Sequence, residues 1–107
     1  MTKQKNYLGQ FEEIVLLAIL RLGSNSYGTK IRQTVEEVLE KPVSIGAVYT
    51  TLDRLEQKGY LTSWQGEASP QRGGRAKRYF EVSGAGEKAL KDTDFARHRL
   101  SKGLVLA

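Results

Sequence analysis

Ser44-Ile45-Gly46-Ala47-Val48-Tyr49-Thr50-Thr51-Leu52-Asp53-Arg54-Leu55-Glu56-Gln57-Lys58-Gly59-Tyr60-Leu61 is the stretch on which the fold turns. Ser44 suits an N-cap, because its hydroxyl can accept from amide N–H groups that have no partner inside a helix. Gly59 suits the far end, where a chain leaves a helix through a left-handed turn without a Cβ clash. Between them Ile45, Val48, Leu52 and Leu55 recur at three and four residues and share one helix face. The opposite face carries Gly46, Ala47, Thr50, Asp53, Arg54 and Gln57, with Tyr49 and Thr51 on its flanks. That face is small and hydroxylated near its start, as a helix must be to approach a DNA groove closely. The alternative is an ordinary amphipathic core helix, and the rest of the chain bears on the choice.

Upstream, Leu8 to Leu22 reads as a first helix, with Glu12 and Glu13 in early turns where negative charge suits the helix dipole. Phe11, Ile14, Val15, Ala18, Ile19 and Leu22 form a wide apolar face, and Leu16, Leu17 and Leu20 carry it further round. A helix so apolar in so small a chain is expected to meet a partner subunit. Gly23 to Ser26 is a break, with Ser26 as the expected N-cap of a second helix. That helix runs from Tyr27 to Leu39, with Tyr27, Ile31, Val35, Val38 and Leu39 inward and Lys30, Arg32 and Gln33 on other faces, within reach of phosphate. Pro42 disfavours helix just before it, so Glu40 to Val43 is a short connection.

Downstream, Leu61 to Gln65 and Ala76 to Val82 are strand-like. Phe80 and Val82 alternate with Tyr79 and Glu81, the period of a half-buried strand. The connection from Gly66 to Arg75 is too long for a tight turn and rich in Gly, Pro and Ser. Its later half and the second strand hold Arg72, Arg75, Lys77 and Arg78, four cations with no acid near them in sequence, which suits phosphate contact; a solvated hairpin tip is the plainer reading. Ser83 can cap a last helix from Gly84 to near Leu100, with Ala85, Ala89, Thr93, Ala96 and Leu100 as a thin stripe flanked by Leu90 and Phe95. The apolar end, Leu104 to Ala107, would be odd if left exposed.

The chain has 107 residues, 17 Lys+Arg against 12 Asp+Glu, a net charge of +5, no cysteine and one histidine. That is one domain with a modest core. The basic balance favours a polyanionic partner. Without cysteine there is no disulfide, thiolate ligand or thiol nucleophile. His98, set between Arg97 and Arg99, cannot by itself build a metal site or serve a catalytic triad. The expectation is therefore a non-enzyme with neither cofactor nor metal. No apolar run spans a bilayer and no signal peptide is read, so the expected compartment is the cytoplasm, with no membrane partner.

Three helices, two strands and a basic loop between them follow a winged helix-turn-helix order. The chain also resembles the PadR-type transcriptional regulators. The resemblance is carried by Tyr27-Gly28, by Ser44 to Leu61, and by Gly73-Gly74-Arg75-Ala76-Lys77-Arg78-Tyr79-Phe80-Glu81-Val82-Ser83 with Gly86 after it. It implies a homodimeric, cytoplasmic DNA-binding repressor in which Tyr49, the positions around it and the wing cations contact the operator. With so little chain after the second strand it resembles the short type, with a single C-terminal helix. Some relatives bind flat aromatic drugs between tryptophans at the dimer interface; Trp64 falls in the first wing strand instead.

The expected fold is mostly α with a small β-hairpin: a three-helix core plus a two-stranded wing over residues 1–83, and a C-terminal dimerisation helix over 84–107 in the same domain. The expected function is sequence-specific binding of a double-stranded DNA operator by a homodimer joined through its first and last helices. Ser44, Gly46, Ala47, Tyr49, Thr50 and Arg54 would read the major groove, and Arg72, Arg75, Lys77 and Arg78 would grip phosphate. The rival readings are a protein-binding winged helix and a sensor with a small-molecule effector at the dimer interface, although no motif specifies an effector.

Overall fold

A computed structural model describes residues 7–66 and 76–106. Helices α1 (Gln10–Leu22), α2 (Gly28–Leu39) and α3 (Ile45–Gln57) are followed by strands β1 (Leu61–Gln65) and β2 (Arg78–Val82) and helix α4 (Gly84–Ser101). The strands pair antiparallel, Leu61 opposite Val82 and Gln65 opposite Arg78. This is the winged helix expected from the order of elements, mostly helical with one hairpin.

The core forms where the inward faces of the three helices meet the hairpin. Val15, Leu16, Ile31, Val35, Val48, Leu52, Leu55 and Phe80 are buried together. Along β2, Phe80 and Val82 point in while Glu81 is exposed, so the alternation holds. Helix α3 ends as expected, with Gly59 at φ 81°, a backbone state that an L side chain resists.

Five local expectations are corrected. Helix α1 starts at Gln10, not Leu8; Leu8 lies before it, buried, with its N–H donating to Thr93 Oγ1 at 3.0 Å. Ser26 does not cap α2. Its buried hydroxyl lies 2.9 Å from the Ile19 carbonyl and 2.8 Å from the Gly23 carbonyl, and so serves the end of α1. Tyr27 is the N-cap residue instead, extended and bridged to Tyr79. Val38 is 69% exposed rather than inward. Ile45 is 41% exposed, while Thr51, expected on the flank, is buried. The phase of Ile45 matches that of Leu52, but burial on α3 begins only at Val48, so its first turn projects past the core.

Helix α4 begins as predicted. The Ser83 hydroxyl accepts from the Gly86 N–H at 3.1 Å and donates to the Gly59 carbonyl at 2.6 Å. Its buried residues are Gly86, Ala89, Leu90 and Thr93. The expected stripe fails at both ends, where Ala85 and Leu100 are exposed.

Adjacent glutamates on α1 tie down two different helices. Glu12 is buried; it accepts from the Gly9 N–H at 2.9 Å and from Lys58 Nζ, at the end of α3, at 2.9 Å. Burial pushes its carboxyl up, but the hydrogen bonds from Lys58 and Gly9, with the charges of Lys58 and Arg54, outweigh burial and hold it below the usual carboxylate range. Glu13 faces the other way and pairs with Arg97 of α4 at 2.7 Å.

Candidate nucleic-acid interface

Helix α3 can present a reading face because its other side is fully occupied. Val48, Leu52 and Leu55 have no exposure, which fixes the rotation of the helix about its axis. Gly46, Ala47, Thr50, Asp53, Arg54 and Gln57 are exposed on the far side. The Ser44 hydroxyl accepts from the Ala47 N–H at 3.0 Å, so the cap is made and the first turn is ordered. Ser44 itself is exposed. Exposed Ile45 adds an apolar group to this first turn, beside Thr29, Arg32, Val43 and Ser44, which together line a shallow depression of about 450 Å³.

Tyr49 holds a different position from the rest of that set. It is half-buried and packed on the core. Its hydroxyl end lies directly over Gly28, where any Cβ would collide with the phenol ring. Tyr49 and Gly28 thus form a joint that seats the start of α2 against α3. The two residues were legible as separate motif pieces, but nothing local in the sequence joins them across 21 positions.

Of the wing cations, Arg72 and Arg75 lie outside the described residues. Lys77 is half-buried, with Nζ 4.1 Å from the centre of the Tyr27 ring. Tyr27 meets Tyr79 edge-on with centroids 5.8 Å apart, and Tyr79 stacks on Trp64 at 6.1 Å with the rings 18° apart. This row of three rings joins both wing strands to the start of α2 and leaves Trp64 46% exposed.

Arg78 is engaged inside the protein. Its Nη2 lies 2.6 Å from Glu56 Oε1, its Nη1 3.3 Å from Asp53 Oδ1, and its Nε donates to Ser63 Oγ at 3.3 Å. The guanidinium also lies 4.9 Å from the centre of the buried Phe80 ring. Arg32, expected within reach of phosphate, pairs with Glu36 at 2.7 Å. The Val43 N–H hydrogen bond, more than the Arg32 charge, holds the Glu36 carboxyl below its usual range. Lys30 and Gln33 are exposed.

Nothing in this arrangement resembles a reaction centre. His98 sits on the exposed side of α4, its Nδ1 3.5 Å from Asp94. Among the described residues no group of three or more His, Cys, Asp or Glu side chains is placed to hold a metal ion, and no helix is long and apolar enough to cross a membrane.

Residues 16–92 match the transcriptional regulator PadR-like family. The fold is similar to a PadR-like transcription factor from Bacteroides fragilis, with 26% identity, 88% of this chain and 85% of that chain covered, and a TM-score of 0.72. A PadR-like transcriptional regulator from Bacillus cereus is 20% identical over 85% of this chain and 84% of its own, with a TM-score of 0.68. RosR of H. salinarum is 23% identical over 97% of this chain and 84% of its own, with a TM-score of 0.67. No curated protein matches the chain.

Proposed function

The chain belongs to the transcriptional regulator PadR-like family, a family of non-enzymatic regulators, and on that premise we propose that it is a sequence-specific DNA-binding repressor acting as a homodimer. The observation that carries this reading is helix α3, locked in rotation by its buried face and exposing Gly46, Ala47, Thr50 and Arg54 on the other. Small and hydroxyl side chains near a capped N-terminus let a helix sit deep in the major groove, where recognition helices read base edges. Arg54 comes late in the helix and is exposed, which suits a phosphate contact. Tyr49, seated over Gly28, sets the angle of α3 and offers only its edge. Lys77, with Arg72 and Arg75 near it in sequence, supplies cations for the backbone.

The dimer reading rests on apolar surface that one chain leaves uncovered. Leu17, Leu20 and Val38 are exposed along a groove of about 620 Å³ between α1 and α2, lined also by Ile14, Ala18 and Val35. Leu100, Leu104, Val105 and Leu106 are exposed at the other end of the chain. In this reading residues 1–83 bind DNA, residues 84–107 with α1 build the dimer, and the two reading helices lie about 34–36 Å apart, one turn of duplex. The cytoplasm is the matching compartment.

The test is site selection from random duplex DNA, followed by affinity measurements on the selected and a scrambled duplex. A two-fold-symmetric site is expected, and Thr50→Ala should relax preference at one position in each half-site at a cost of about 1–3 kcal/mol. No enrichment, together with binding that is insensitive to salt, would transfer the case to the protein-binding winged helix.

A further inference from the structure

Three elements converge on one guanidinium. Glu56 and Asp53 come from α3, Ser63 from β1, and Arg78 itself from β2, at 2.6, 3.3 and 3.3 Å. Ser63 Oγ also lies 2.9 Å from both carboxylate oxygens of Glu56, closing a ring of contacts. The inner side of the guanidinium rests on Phe80, which is 1% exposed. A lone surface ion pair contributes little, but a forked guanidinium shared among several partners with a fixed face behind it is the exception.

We propose that Arg78 is a positioning residue that clamps the wing hairpin to the reading helix, and that its charge is spent on Glu56 and Asp53 rather than on DNA phosphate. This rests on the DNA-binding reading above. On α3, Asp53 stands three residues from Thr50 and Glu56 two from Arg54, so the clamp is anchored beside the reading face. The wing and α3 then dock on DNA as one rigid piece. Sequence preference depends on Arg78 although it touches no base.

A phosphate contact and a clamp differ in their salt and substitution behaviour. A phosphate contact adds about one unit to the salt slope, weakens all duplexes alike when lost, and is well replaced by lysine. A clamp needs the planar fork, which lysine does not supply. The experiment measures Arg78→Gln and Arg78→Lys against the selected and the scrambled duplex across a salt series, with thermal melts to confirm folding. Both variants are expected to lose roughly tenfold in affinity for the selected site, about one broken charge-assisted contact, with the salt slope unchanged and scrambled binding nearly so. A slope reduced by about one unit in Arg78→Gln and restored in Arg78→Lys would overturn the proposal.

A second arm uses the free protein, and so separates this proposal from the DNA-binding reading. The Arg78 Nε–H should give a slowly exchanging NMR signal that Glu56→Gln abolishes, while the Trp64 emission shifts as its stack on Tyr79 loosens. A rapidly exchanging Arg78 Nε–H in the unaltered protein would refute the clamp whatever the protein binds. A protected Nε–H in a protein that binds no DNA would keep the clamp as a structural brace and remove its role in reading.

Discussion

Helices α3 and α4 are built by the same local rules and end in opposite conditions. Each opens on a serine whose hydroxyl accepts an amide N–H, Ser44 from Ala47 and Ser83 from Gly86. Helix α3 then spends its whole inward face, from Val48 to Leu55, on the core of its own chain. Helix α4 is longer, 18 residues against 13, yet its last buried residue is Thr93 and Leu100 is 81% exposed. A helix finished within one chain can hold a fixed orientation and present its outer face as a tool. A helix finished only halfway has an apolar end still to be covered.

Hollowing out the buried side of α3 should have the largest effect. Leu52 has no exposure and lies in the centre of the α1, α2 and α3 packing. Leu52→Ala is expected to cost about 2–5 kcal/mol, from lost burial and the cavity left behind. Chemical denaturation reads this directly. A loss below about 0.5 kcal/mol would mean that α3 is not held by its inner face, and its outer face would lose its fixed aim.

What the sequence made legible divides along similar lines. Caps are mostly local chemistry, so Ser44, Gly59 and Ser83 could be placed from their neighbours alone, whereas Ser26 could not, because its hydroxyl turns back to the Ile19 and Gly23 carbonyls. Alternation over five residues was enough to set Phe80 and Val82 inward. Periodicity gives the phase of a side chain but not how far a helix outruns its support, which is why Ile45 and Val38 were expected inside and are exposed. The largest gap concerns Arg78. Between Gln71 and Phe80 the sequence shows cations without an acid, but Asp53 and Glu56 come from 25 and 22 positions away once the hairpin folds against α3. The pairing of Tyr49 with Gly28 was hidden for the same reason. Such contacts are set by topology, and a linear reading sees only the charges.

The adjacent glutamates of α1 carry a smaller effect. Glu12 holds the end of α3 through Lys58 and also accepts from the Gly9 N–H; Glu13, buried nearly as deeply, meets Arg97 of α4. Glu12→Gln is expected to cost about 1 kcal/mol through its charge-assisted hydrogen bonds, and Glu13→Gln less than about 0.5. The pH dependence follows from the lowered carboxyl of Glu12. Its contribution is complete above the ordinary carboxylate range and is lost as pH falls through its lower folded value. Urea midpoints from neutral to acid pH should therefore fall less steeply in Glu12→Gln than in the unaltered protein. Equal slopes would show that the Lys58 pair does not differ between folded and unfolded chains.

The smallest expected effect on the single chain belongs to Leu100, and it tests the unfinished side. No core residue depends on it, so Leu100→Asp should change the stability of an isolated chain by less than about 0.5 kcal/mol. Its effect should appear instead in the dependence on protein concentration. If α4 is completed by a second copy, the melting temperature of the unaltered protein rises with concentration, because association stabilises only the folded state. An aspartate there places a charge where apolar surface should close, and desolvating that charge opposes the contact. Leu100→Asp should therefore melt at one temperature at every concentration and sediment as a monomer where the unaltered protein is a dimer. A mutant that keeps the full concentration dependence would remove the end of α4 from the interface. The groove between α1 and α2, with Leu17, Leu20 and Val38 exposed along it, would then be the apolar surface whose substitution should abolish the concentration dependence.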